Sequence, residues 1–104
     1  MQLPALIVDN KDAVAALCRR ASARRLDLFG SAVRHDFDRA ASDLDFVVTF
    51  DAMPPAQYSE AYFSLKEGLE SLFARPVDLV VESAIRNPHF KQRVDAERQP
   101  VYAS

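Results

Sequence analysis

At 104 residues, with 49% of them hydrophobic, the chain has the length and apolar content for one domain (1–104) around one core, and too little length for two. Its net charge of −2 argues against direct nucleic-acid binding driven by bulk charge, and a single cysteine, Cys18, excludes an internal disulfide framework. No apolar run approaches the roughly 20 residues that cross a bilayer, and Met1 to Val8 lacks the basic and apolar segments of a secretion signal, so the expected location is the cytoplasm, with no membrane partner.

Asp9, Asn10 and Asp12 offer N-caps for a helix over Ala13 to Ala21. Ala13, Leu17 and Ala21 share its apolar face, with Val14 and Cys18 beside them. Arg19, Arg20, Arg24 and Arg25 lie close together, but no aromatic interleaves with them and they read as a solvated helix end. A strand from Arg25 to Phe29 should stop at Gly30, and Ser31 could cap a short helix or turn from Ala32 to His35. Asp36 to Ser42 is polar, lacks periodicity and reads as a loop.

Asp43 to Phe50 is the clearest strand. Leu44, Phe46, Val48 and Phe50 point one way, and Asp43, Asp45, Val47 and Thr49 point the other. Both faces become apolar after Asp45, the pattern of a central strand whose acidic end opens to solvent. A long helix from Gln57 to Phe73 carries a stripe of Tyr58, Tyr62, Leu65, Leu69 and Leu72 at spacings of four and three. Val77 to Glu82 forms the next strand, Phe90 to Glu97 a weaker helix, and Pro100 to Ala103 a short edge strand. Strands alternating with helices predict an α/β (α+β) architecture.

Asp43 and Asp45, two apart on a strand, project to one side about 7 Å apart. Such a pair alone is commonly a turn cap or a solvated strand end. Asp78 shifts the balance, because it is the only polar residue between Val77 and Val81, in a run that reads as buried. Two carboxylates about 4 Å apart repel by roughly 4 kcal/mol at an effective dielectric near 20, so a cluster of three calls for a cation. With no His or Cys in the pattern, the all-oxygen set suits Mg²⁺ or Mn²⁺. Gly30, one of only two glycines, and Ser31 form a turn able to approach phosphate closely; an ordinary capped turn is the competing reading.

Leu28-Phe29-Gly30-Ser31-Ala32-Val33-Arg34, Ser42-Asp43-Leu44-Asp45-Phe46-Val47-Val48 and Val77-Asp78-Leu79-Val80 together resemble the polymerase-beta-like nucleotidyltransferase superfamily. More narrowly, they resemble the minimal nucleotidyltransferases (MNT) that act as antitoxins in prokaryotic HEPN/MNT toxin–antitoxin pairs, over essentially the whole chain. The resemblance implies a nucleotidyltransferase fold, a small mixed β-sheet packed against helices. It also implies that Gly30 and Ser31 bind the nucleoside triphosphate, and that Asp43, Asp45 and Asp78 are the catalytic, metal-binding carboxylates. Arg34 would pair with phosphate or stand as a solvated turn residue. The implied cofactor is Mg²⁺ (two ions, with Mn²⁺ as an alternative) and the implied substrate ATP. The implied reaction moves AMP to a tyrosine hydroxyl of a HEPN-domain ribonuclease toxin, held in a hetero-oligomer. Neutralisation by binding alone and transfer to a small molecule are the alternative functions. The chain departs from the family where His35 replaces a frequent glycine and the Ala32–Ser42 spacer runs slightly long.

Overall fold

The structure, a computed structural model, describes residues 3–34 and 43–104. The chain runs α1 (Ala5–Val8), α2 (Lys11–Arg20), β1 (Ala23–Phe29), a 3₁₀ turn (Gly30–Ala32), β2 (Leu44–Phe50), α3 (Pro55–Phe73), β3 (Val77–Val81), a second 3₁₀ turn (Glu82–Ala84), α4 (Pro88–Glu97) and β4 (Gln99–Ala103). The expected loop from Asp36 to Ser42, and His35, lie outside the described residues.

Each helix begins where its sequence chemistry allows. Asp12 in the first turn of α2 and Arg19 and Arg20 in its last turn complement the helix dipole. Both longer C-terminal helices start two residues earlier than periodicity suggests. Pro55 and Pro88 occupy first-turn positions, where a missing N–H costs nothing. Asn87 then caps α4, its side-chain oxygen accepting from the amides of His89 (2.9 Å) and Phe90 (3.3 Å). At the far end of α3, Ala74 takes the left-handed conformation (φ 54°) usually left to glycine.

The four strands form one mixed sheet in the order β3-β2-β1-β4. β1 runs antiparallel to both β2 and β4, while β2 and β3 are parallel. β2 is thus central and β4 an edge, as expected, but β3 is the other edge.

The sheet is covered on both faces, unequally. Leu26, Leu28, Leu44, Phe46, Val48 and Leu79 form the main core with Val14, Cys18, Leu65, Leu69 and Phe73 from α2 and α3. Burial pushes the Cys18 thiol up to about 12, as befits an inert core group. Of the stripe on α3, Leu65 and Leu69 are buried in this core and Tyr62 and Leu72 pack against it. Its Tyr62 hydroxyl also donates to the Leu79 carbonyl on edge strand β3 (2.6 Å). Gly68 lets α2 lie close to α3, since a Cβ there would stand 2.6 Å from a Leu17 methyl. On the opposite face a smaller cluster joins Phe29 and Val47 to Val94 of α4. That second face carries the carboxylates.

Candidate active site

Three strand ends meet at one margin of the sheet. Phe29, the last residue of β1, pairs with Asp45 on β2, and Asp45 pairs with Asp78 on β3. Paired residues on neighbouring strands lie about 4.8 Å apart with side chains on one face, so Asp45 and Asp78 stand side by side. Asp43 precedes β2 and is exposed. Asp78 is exposed as well, contrary to the buried setting that its apolar neighbours suggested. The reason is topological: as an edge strand β3 buries Val77 and Leu79 against the main core and leaves Asp78 on the open face.

Asp45 is the most enclosed of the three. Burial first, then the negative charges of Asp78 and Asp43, push its carboxyl from 3.8 up to about 6, against the pull of Arg34 and Arg93. The neighbouring Asp78 and Asp43 both disfavour its charged form, so negative charge gathers at this margin. The oxygen-only donor set fits a hard divalent cation. Among the described residues, no three His, Cys, Asp or Glu side chains already stand close enough to enclose an ion. Asp43 and Asp78, both exposed, have the rotamer freedom to close on one.

The Gly30 turn packs directly against these acids. Gly30 adopts φ +77°, and a Cβ there would overlap the Asp45 carboxylate, with its Cγ at 3.0 Å. Glycine is therefore demanded twice, by conformation and by space. Beyond it the chain makes one 3₁₀ turn, with the amides of Val33 (3.1 Å) and Arg34 (3.2 Å) both donating to the Gly30 carbonyl. Of the expected short helix or turn after Ser31, the structure shows a turn as far as Arg34, where the described segment ends. Ser31 is half-buried on the turn.

Arg34 is exposed, and its guanidinium Nη1 pairs with a carboxylate, Glu97 Oε2, at 2.7 Å. Glu97 is buried at the last position of α4, and its other oxygen accepts the Gly30 amide at 3.1 Å. Sequence reasoning missed this residue. A signal existed: an acid in the last turn opposes the helix dipole and so asks for an external partner. Arg93 was missed too. Its guanidinium stacks over Phe90 (5.3 Å), and Phe90 meets Phe29 edge-on at 5.9 Å, which brings a positive charge toward Asp45.

A second charged cluster braces α4 behind the site. Asp27, fully buried on β1, accepts from Arg25 Nη2 (2.9 Å) and Arg98 Nε (2.5 Å). Arg98 also reaches Glu82 (2.9 Å) and Asp95 (3.0 Å), and its grip holds the Glu82 carboxyl down to about 2. The network ties β1, the second 3₁₀ turn and α4 into one unit.

Comparison with known proteins places the chain in a family. The nucleotidyltransferase domain family matches residues 11–101. A candidate protein adenylyltransferase of Methanocaldococcus jannaschii is 32% identical over 74 residues, 71% of each chain. A solved candidate minimal nucleotidyltransferase superposes with a TM-score of 0.75 at 34% identity, covering 96% of both chains. A structure of the tri-AMPylated Shewanella oneidensis HEPN toxin in complex with MNT antitoxin shares the fold, with a TM-score of 0.64, 21% identity and coverage of 94% of this chain and 73% of that one. The family match extends from α2 to β4 and so takes in the Gly30 turn and all three strand-end carboxylates: the chain belongs to the nucleotidyltransferase domain family, and within it to the minimal nucleotidyltransferases.

Proposed function

We propose that this chain, as a single domain in the cytoplasm, is an antitoxin that transfers AMP from ATP to a tyrosine hydroxyl of a HEPN-domain toxin. The register of Asp45 beside Asp78, against the Gly30 turn, is the observation that carries this reading. The relative named for protein adenylylation and the fold shared with the AMPylated-toxin complex support the acceptor class.

Each residue has a task in the transfer. Gly30 and Ser31 would cradle the triphosphate, the glycine by close backbone approach and the serine by its hydroxyl. Arg34 would pair with a phosphate oxygen. Asp43, Asp45 and Asp78 would hold the divalent cations, Mg²⁺ or Mn²⁺, whose charge when bound offsets that of the triphosphate and lowers the pKa of the acceptor hydroxyl. The tyrosine oxygen forms a bond to the α-phosphorus as the bond from that phosphorus to the bridging oxygen breaks. Pyrophosphate departs with that electron pair, and Asp78, the exposed carboxylate beside Asp45, accepts the hydroxyl proton.

The test is to recover the protein that co-purifies with this chain, incubate the two with ATP and Mg²⁺, and measure the partner's intact mass. A gain of one or more AMP units, lost with Asp45→Asn, is the expected result. No gain from the wild-type chain refutes the reading. Full neutralisation of the partner by Asp43→Asn at matched expression would assign the effect to binding alone.

A further inference from the structure

We propose that Glu97 is a positioning residue of the nucleotide site, which presets Arg34 and the Gly30–Ser31 turn for the triphosphate; this rests on the nucleotidyl-transfer reading above.

A buried carboxylate at the last position of a helix is unfavourable twice, through desolvation and through the dipole, unless its partners compensate. Both partners of Glu97 lie in the turn, 67 and 63 residues away in sequence. Docking of α4 does not explain them, because Arg98 already anchors that helix end to Asp27 and Glu82. Neither does satisfying the Gly30 amide, for which one neutral acceptor would serve. The second oxygen and the full charge go to Arg34.

That arginine belongs to the turn that packs on Asp45: its amide donates to the Gly30 carbonyl at 3.2 Å, and a Cβ on Gly30 would overlap the Asp45 carboxylate. Glu97 holds the Arg34 guanidinium at Nη1, 2.7 Å from its Oε2. Arginine side chains lose much rotamer freedom when they grip phosphate, and a fixed partner removes part of that loss before the ligand arrives. Glu97 also neutralises its own charge in the pair, so it adds little repulsion against a triphosphate. The same carboxylate fixes the amide of Gly30, whose left-handed turn carries Ser31.

The experiment is a double-mutant cycle read by titration calorimetry with Mg²⁺ and a non-hydrolysable ATP analogue, using the wild-type chain, Glu97→Gln, Arg34→Ala and the double variant. Glutamine keeps a carbonyl oxygen for the Gly30 amide and discards the charge that holds Arg34. Glu97→Gln should weaken binding about tenfold, the scale of one charge-assisted hydrogen bond. The double variant should bind no more weakly than Arg34→Ala alone. Equal losses from Glu97→Gln in both backgrounds, or wild-type affinity of Glu97→Gln, would overturn the inference. If the glutamine variant does not fold, Glu97→Asp takes its place in the cycle with the same two criteria, its shorter side chain keeping the charge but failing to span both partners. Absence of binding by the wild-type chain would instead overturn the functional reading beneath it, so the two failures are distinguishable.

Discussion

The Asp45 carboxylate occupies the space that a side chain on Gly30 would need. A Cβ there would stand 3.2 Å from the Asp45 Cβ, 3.0 Å from its Cγ, and closer still to Oδ2. The turn that would hold phosphate and the acid that would hold metal are therefore one packed unit. Gly30→Ala should destabilise the chain by about 2 kcal/mol, combining left-handed backbone strain with overlap. The same change made on top of Asp45→Ala should cost clearly less, because the overlap with the carboxylate is gone and only the backbone strain and the 3.2 Å approach to the residue-45 Cβ remain. Urea unfolding of the four chains checks this, and equal costs in both backgrounds would refute the contact.

The pH dependence of stability should have two limbs of opposite sign. Asp45 rises from 3.8 to about 6 in the folded chain, so folding tightens its proton. Its contribution is fully present below pH 3.8 and is lost as pH rises through 6. Glu82 falls from 4.5 to about 2, so its contribution is present above pH 4.5 and is lost as pH drops through 2. In chelator, Asp45→Asn should therefore melt higher than the wild-type chain at pH 7, and the two should converge below pH 4. Melting curves across that range that run parallel for both proteins would exclude the assignment.

The parts of this molecule legible in its sequence are those set by local periodicity. Alternation in β2 puts Asp45 opposite Phe46, and the four-three stripe aims Leu65 and Leu69 of α3 at the core. Residues whose setting depends on distant partners were not legible. Asp78 sits in an apolar run that implies burial, yet the strand order leaves β3 at an edge. Asp27 looks like any charge in a strand until Arg98, 71 residues later, arrives beside it. α1, with four residues, is too short for any period to register. The candidate site divides the same way: its acids and glycine were readable from spacing, whereas Glu97 and Arg93 reach it only through the docking of α4.

Arg98 should be the costliest single charge to remove. It pairs with fully buried Asp27 and with Glu82 and Asp95, and truncation would leave Asp27 to Arg25 alone. Arg98→Ala should lower unfolding free energy by about 3 kcal/mol, the range for breaking a buried pair from one side. Arg98→Lys should recover less than half, since one ammonium cannot span three carboxylates. Denaturant titration measures both, and near-wild-type stability of the lysine variant would count against the network.

Binding and folding should respond in opposite directions to one substitution. A ligand that binds only the folded chain raises its stability, by about 2.7 kcal/mol at a hundred times its dissociation constant. Mg²⁺ with a non-hydrolysable ATP analogue should therefore raise the melting temperature of the wild-type chain, and chelator should reverse the rise. Asp45→Asn should abolish that ligand-dependent shift while melting higher than wild type in chelator at pH 7, because the half-buried charge is gone. A damaged fold would lower both readings, and a purely structural Asp45 would leave the ligand shift intact. Only a carboxylate kept for a ligand, at a cost to the free protein, produces the crossed result.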